Sequence, residues 1–229
     1  MIRPIANRAL PDRPTRIIVR AGAGAGLRLV INPRTEKYYW SGLYEPRAQE
    51  AIVERLTSGD VVWDIGAHIG FLSAIAARTV GPKGHVVAFE PLPANVLRLT
   101  QTVEMNGLTN VSIRDVAVAS SIGTATFHVN PSSAMGGLAA TEGGEGIDVQ
   151  TTTLDAELDV SLPPRLVKID VEGFEEQVLA GGRRLFTEVR PSLIIELLTE
   201  AAVARAQSLL PRYALRLIDE MNFVGDPNG

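Results

Sequence analysis

A chain of 229 residues with 45% hydrophobic content is long enough to bury about 70% of the surface its unfolded form exposes, so one domain over residues 1–229 is expected, an N-terminal extension at 1–58 followed by a core at 59–229. The absence of cysteine excludes disulfides, thiolate catalysis and zinc–cysteine sites. The net charge of -4 conceals an asymmetry, because residues 1–34 hold seven arginines (Arg3, Arg8, Arg13, Arg16, Arg20, Arg28, Arg34) against one acid, Asp12, a basic arm that would either touch phosphates or pair with the acidic body.

The opening "MIRPIANRAL" interrupts its apolar residues with Arg3, Pro4 and Arg8 and does not read as a signal peptide. No later run reaches the ~18 apolar residues of a membrane span, so a cytoplasmic location is expected. "TRIIVR" and "GLRLVI" predict two short strands joined by "AGAGAG". A phosphate loop must open a helix whose amides hold the anion; another strand follows here, so the glycine run reads as a hairpin turn. "EPRAQEAIVERLTSGD" has helical spacing, with Gly59 as its expected C-cap.

A regular alternation then begins. Strand "VVWDIG" leads to helix "FLSAIAARTV", strand "HVVAFE" to helix "PANVLRLTQTVEMNG", and strand "VSIRDVAV" follows. Strands separated by helices imply right-handed crossovers and a parallel sheet. "GTATFHV" and "IDVQTTTL" read as added strands around "NPSSAMGGLAATEGGEG", a stretch of small residues expected to form a surface loop. The chain closes with strand "RLVKID", helix "VEGFEEQVLAGG", strand "PSLIIEL", helix "TEAAVARAQSLL" and strand "YALRLID".

Asp64, Glu90 and Asp115 stand at successive strand ends, 26 and 25 residues apart, the length of one strand-plus-helix unit. They therefore share the carboxyl edge of the sheet, where open α/β folds bind ligands. A dinucleotide loop needs a glycine that lets the backbone approach a pyrophosphate, whereas Ala67 and His68 fill the middle between Gly66 and Gly70, and Asp64 guards the entrance. That carboxylate would repel a pyrophosphate. It suits S-adenosylmethionine, which carries an ammonium and a sulfonium and no phosphate. Asp64, Gly66, Ala67, His68 and Gly70 are expected at the methionine end, Glu90 and the following Pro91 at the ribose, and Asp115, Val116 and Ala117 around the adenine.

"VVWDIGAHIGFLSAIAA", "VVAFEPLPAN" and above all "VKIDVEGFE" resemble the FkbM-type methyltransferases, S-adenosylmethionine-dependent enzymes that mostly methylate hydroxyl groups of natural products and sugars. The similarity covers about residues 40 to 200. It implies an α/β, Rossmann-like class I methyltransferase sheet, mostly parallel, with helices on both faces and an N-terminal hairpin and helix as extension. It also implies that Gly42, Tyr44 and Glu45 of "SGLYEP" lie near the cofactor. Two departures stand out: His68 occupies a position where asparagine is commoner, and "NFVGDPNG" ends soon after "YALRLID", where the family fold adds an antiparallel strand. An incomplete sheet edge is expected.

Methyl transfer from a sulfonium is an in-line displacement with a neutral leaving group, so the protein must align the acceptor oxygen, exclude water and remove a proton. Asp170, at the end of the strand beside "VVWDIG", is the first choice for the base, with Glu172 and Glu196 next. Glu172 reads equally as an acid at a helix N-terminus. Lys168 is assigned to structure, His68 is an alternative base, and neither His85 nor His128 has an evident partner. Asp170, Glu172 and Glu196 also resemble a Mg²⁺ site, but the simpler reading is acids without a metal. The expected partner is a small hydroxylated acceptor, with a homodimer allowed. A nucleic-acid methyltransferase is disfavoured, since "IDVEG" replaces the Asn/Asp-Pro-Pro-aromatic turn of base-amino methylation; a non-catalytic nucleoside-binding protein of the same fold is the other alternative. Acceptor selection is expected from residues 1–45 and 130–146.

Overall fold

The computed structural model describes residues 10–129, 136–137 and 145–227. The expected hairpin is present as β1 (Thr15–Ile18) and β2 (Arg28–Ile31), paired antiparallel. A short helix that the sequence pattern did not reveal, α1 (Lys37–Ser41), precedes α2 (Pro46–Arg55). The core then runs β3 (Val61–Ile65), α3 (Phe71–Val80), β4 (His85–Phe89), α4 (Pro93–Met105), β5 (Val111–Arg114), β6 (Ala117–Val118), β7 (Gly123–Val129), β8 (Gly136–Gly137) and β9 (Glu145–Thr152). It continues through α5 (Leu154–Leu158), β10 (Leu166–Ile169), α6 (Glu175–Ala180), β11 (Ser192–Glu196), α7 (Glu200–Leu209), β12 (Tyr213–Leu217) and β13 (Asn222–Pro227).

Seven strands form the main sheet in the order β12-β13-β11-β10-β3-β4-β5. β5, β4, β3, β10 and β11 are parallel, and β13 inserts antiparallel between β11 and β12. The sheet edge is therefore complete, contrary to the expectation from the short C-terminus. Alternate strand residues face opposite layers. Val62, Val86, Leu166, Ile194 and Val224 pack under α2 and α3, while Trp63, Ile65, Val167, Ile169, Leu193 and Ile195 pack under α6 and α7. Burying each such side chain contributes roughly 1.5 to 3 kcal/mol.

Three boundaries differ from the sequence reading. α2 ends at Arg55, because Leu56 turns extended (φ -111°, ψ 144°) to enter the core; Gly59, at φ +98°, serves the following turn instead of capping the helix. The stretch 111–118 is two strands. β5 ends at Arg114, and β6 leaves the main sheet to pair with β9 in a second sheet, β6-β9-β7-β8. The helix expected over 171–182 is confined to Glu175–Ala180, with a π-helical turn at Leu185–Val189 after it.

Much of the N-terminal positive charge is taken up locally. Arg34 pairs with Asp12 at 2.7 Å, Arg28 donates to the Met105 carbonyl at 3.4 Å, and Arg20 lies 4.8 Å from the Trp40 ring. Arg98 of α4 clamps the hairpin, pairing with Glu36 at 2.6 Å and donating to the Val30 carbonyl at 2.9 Å. Arg3 and Arg8 lie outside the described residues, as does most of the glycine-rich loop expected over 130–146. Among the described residues, no helix is long and apolar enough to cross a membrane.

Candidate active site

The turn between β3 and α3 places three residues in the left-handed region, Gly66 (φ 79°), His68 (φ 51°) and Gly70 (φ 80°). A Cβ on Gly66 would lie 1.8 Å from the Asp170 carbonyl oxygen, so glycine is needed here to seat the loop against the end of β10. Four of the loop amides are already used. Gly66 and Ala67 donate to the Phe89 carbonyl at 3.0 and 2.9 Å, His68 to the Glu90 carboxylate at 2.9 Å, and Gly70 to the Ala67 carbonyl at 2.8 Å. None of these four N–H groups is left to cradle a phosphate.

Glu90 is 4% exposed and also accepts from the Leu92 amide at 3.0 Å and the Asn95 side chain at 3.2 Å. A carboxylate offers about four lone-pair directions, so three donors leave room for one more, the place expected for a ribose hydroxyl. Burial raises its pKa, while these hydrogen bonds pull it down. Pro91 follows half-buried. Asp115 is exposed past β5, Val116 is half-buried, and Ala117 is buried with Leu92 and Val149.

The acids of β3 and of the end of β10 meet around one cation. Lys168 and Asp64 are register partners on adjacent strands and point to the same face. The Lys168 ammonium donates to the Gly66 carbonyl at 2.9 Å and lies 3.3 Å from Asp64 and 3.4 Å from Asp170. Asp64, 2% exposed, also accepts from the Ser73 hydroxyl of α3 at 2.5 Å through one oxygen, while its other oxygen faces the Lys168 ammonium without a hydrogen bond. Burial works against the charge of Lys168, but Asp64, Asp170 and Glu45 outweigh it and hold its pKa above the ordinary lysine value. The sequence did offer a signal for this role: a lysine within the otherwise apolar strand Leu166–Ile169 needs a buried counter-charge, and Asp64 stands at the matching position of the neighbouring strand.

Asp170, Glu172 and Glu196 each bring a carboxylate oxygen within 4.8 Å of the others. Glu45 joins them electrostatically from the turn after α1. Burial, then the charge of Asp170, pushes Glu45 up to about 7. Burial, then Asp170, Glu172 and Glu45, pushes Glu196 up to about 9. Burial and Asp170 also raise Glu172. The mutual repulsion of these carboxylates therefore favours a proton held within the cluster, Glu196 being the member pushed up furthest. Asp170 is the member of this trio with an ion-pair partner among the described residues. The helix N-terminal role open to Glu172 falls to Glu175, which begins α6 and accepts from the Gly173 amide at 2.9 Å; Glu172 sits before the helix at φ 54°, in the acid trio. His68 bonds the Tyr39 hydroxyl through Nδ1 at 3.0 Å, and His85, without a partner in the sequence reading, bonds Ser112 at 2.9 Å.

The raised pKa of Glu196 carries a stability consequence. Its folded value, about 9 against an ordinary 4.5, means that the stabilisation of the protonated form is full below the unfolded value and is lost as pH rises through the folded one. Glu196→Gln is therefore expected to stabilise the empty protein, by an amount that grows from about pH 5 to about pH 9 and reaches on the order of 1 kcal/mol once solvent screening is allowed for. Urea denaturation of both proteins across that range measures it; a pH-independent difference would contradict the shared-proton arrangement.

The chain matches the family model for the methyltransferase FkbM domain over residues 64–221. The hexuronic acid methyltransferase AglP of Haloferax volcanii is 34% identical over 131 residues, which are 57% of this chain and 53% of that protein. Among solved structures, methyltransferase FkbM from Methylobacillus flagellatus KT aligns with a TM-score of 0.54 at 20% identity, covering 82% of this chain and 45% of that one. Aeropyrum pernix fibrillarin, solved with natively bound S-adenosyl-L-methionine, aligns with a TM-score of 0.53 at 10% identity over 78% of this chain and 75% of that one. The sheet is that of the class I methyltransferases. The chain spans about half the length of the AglP relative and of the first of these structures.

Proposed function

The chain belongs to the FkbM methyltransferase family, and on that premise we propose that it transfers a methyl group from S-adenosylmethionine to a hydroxyl group of a small molecule, in the first place a sugar. The observation that carries this reading is the charge of the site. Asp64, Asp170 and Glu45 flank Lys168, Glu172 and Glu196 lie beside Asp170, and four loop amides are already bonded within the protein. Such a site disfavours a pyrophosphate and suits a cofactor that carries positive charge and no phosphate. Glu90, with one acceptor direction left, fits a ribose hydroxyl.

The bound cofactor would supply an electrophilic methyl group. The protein's own part is to hold the acceptor oxygen in line and to take its proton. Asp170 is the group for that proton, because it stands at the end of β10 beside the loop with Lys168 as its counter-charge. Glu196 and Glu172, with raised pKa values, are suited to hydrogen-bonding neighbouring hydroxyls as donors and acceptors. In this reading the trio needs no metal, since a proton held within the cluster relieves the repulsion that Mg²⁺ would otherwise neutralise. The AglP relative, named for hexuronic acid, supports a sugar acceptor.

A mass-spectrometric screen of the protein with S-adenosylmethionine against sugars, glycosides and other hydroxylated metabolites tests the proposal. The expected result is a mass gain of one methyl group on a hydroxyl of a sugar-like acceptor. Products methylated only at nitrogen or carbon would overturn the hydroxyl assignment.

A further inference from the structure

We propose that Tyr39 is a positioning residue for the cofactor loop, a role that rests on the methyltransferase reading above. Tyr39 lies in α1, upstream of the span 64–221 matched by the family model. It is 4% exposed, and its hydroxyl is 3.0 Å from Nδ1 of His68 at the centre of the loop. Burial raises the pKa of this phenol, so it keeps its proton to donate, which leaves Nδ1 as the acceptor and places the imidazole proton on Nε2.

Tyr39 is itself held from several sides. Its ring stacks on Tyr44 with centroids 4.1 Å apart and meets the edge of Phe71, the first residue of α3, at 5.4 Å. The segment around it is fastened by Gln49, whose amide donates to the carbonyls of Gly42 and Tyr44 at 3.1 and 2.5 Å and accepts from the Ala23 amide at 3.0 Å. Gly42 packs so tightly that a Cβ there would lie 2.0 Å from the Ala21 carbonyl oxygen. Hairpin turn, α1 and α2 thus present the Tyr39 hydroxyl at a fixed place.

His68 needs such a hold. Its φ of 51° lies in the left-handed region, which residues with a side chain adopt uncommonly and which contacts from the surroundings help to hold. Two bonds hold it here, the ring bond to Tyr39 and the amide bond to Glu90 at 2.9 Å. The Tyr39 hydroxyl therefore acts on Glu90 through His68, keeping the carboxylate turned so that its remaining acceptor direction meets the ribose.

A double-mutant cycle read by calorimetric titration with S-adenosylhomocysteine tests this. Tyr39→Phe keeps the ring and its packing and removes only the hydroxyl. It is expected to weaken binding about 5- to 10-fold, the scale of one lost buried hydrogen bond. In a His68→Asn background, which has no ring to brace, Tyr39→Phe should change binding less than about 2-fold. Equal losses in both backgrounds, or a lowered melting temperature with unchanged affinity, would overturn the positioning role and leave Tyr39 as packing. A wild-type protein that fails to bind S-adenosylhomocysteine would overturn the methyltransferase reading itself, and this role with it.

Discussion

Replacing Asp170 with asparagine is expected to lower turnover about 10²-fold or more, the usual scale for loss of a general base, while the affinity for S-adenosylhomocysteine stays near that of the wild type. The side chain keeps its size, and the Asp170 amide still donates to the Ile65 carbonyl at 3.1 Å, so the strand end keeps its place. What is lost is the charge beside Lys168, 3.4 Å away, and with it the acceptor for the hydroxyl proton. Chelation distinguishes the base from a metal ligand: EDTA should leave wild-type turnover unchanged, whereas a loss restored by Mg²⁺ would make Asp170, Glu172 and Glu196 a metal site. Full activity in Asp170→Asn would move the base to Glu172 or Glu196.

Lys168→Met is expected to cost the fold about 3 to 5 kcal/mol, the range for removing one partner of a buried ion pair. Methionine fills the same space, so the loss is electrostatic. Asp64, 2% exposed, would keep only the Ser73 hydroxyl, and the Gly66 carbonyl would lose its donor. The effect should be constant from neutral to mildly alkaline pH. A lysine whose folded pKa is raised contributes its stability fully below the unfolded value and loses it only as pH climbs through the folded one, and that window lies above the ordinary 10.5. Adding Asp64→Asn to Lys168→Met should recover part of the loss, since no buried carboxylate is then left unpaired at that position. Urea denaturation measures both, and a cost below about 1 kcal/mol for Lys168→Met would place the pair in the weak class of exposed ion pairs.

The parts of this molecule legible in the sequence are those written in local pattern. Runs such as "HVVAF" buried on both faces, each followed by a helix, with Gly70 before α3, Pro93 opening α4 and Thr199 capping α7, give β3, β4, β10 and β11 with their connections, and the strand-end acids then fall at one edge by count. What escaped was decided across the chain. β13 is made of Asn222–Pro227, a composition that favours turns; pairing with β11 on one side and β12 on the other imposes the strand, as context often does for β structure. α1 contains two tyrosines and a tryptophan within five residues, residues of middling helix propensity, of which Tyr39 is buried and Trp40 packs against the core. The break at Asp115 follows from β6 finding its partner in β9, some thirty residues ahead. Within the site, the sequence assigned Lys168 to structure but did not show its partners, because Asp64 and Asp170 meet it only when β3 and β10 lie side by side.

The assignment of the cofactor rests on carboxylates and on four occupied loop amides where a dinucleotide would need free donors. Parallel calorimetric titrations of the wild-type protein with S-adenosylhomocysteine and with NAD test it most directly. S-adenosylhomocysteine is expected to bind one per chain and, binding only the folded state, to raise the melting temperature by mass action, while NAD gives no heat of binding and no thermal shift. Saturable binding of NAD with none of S-adenosylhomocysteine would contradict the charge argument and the function built on it.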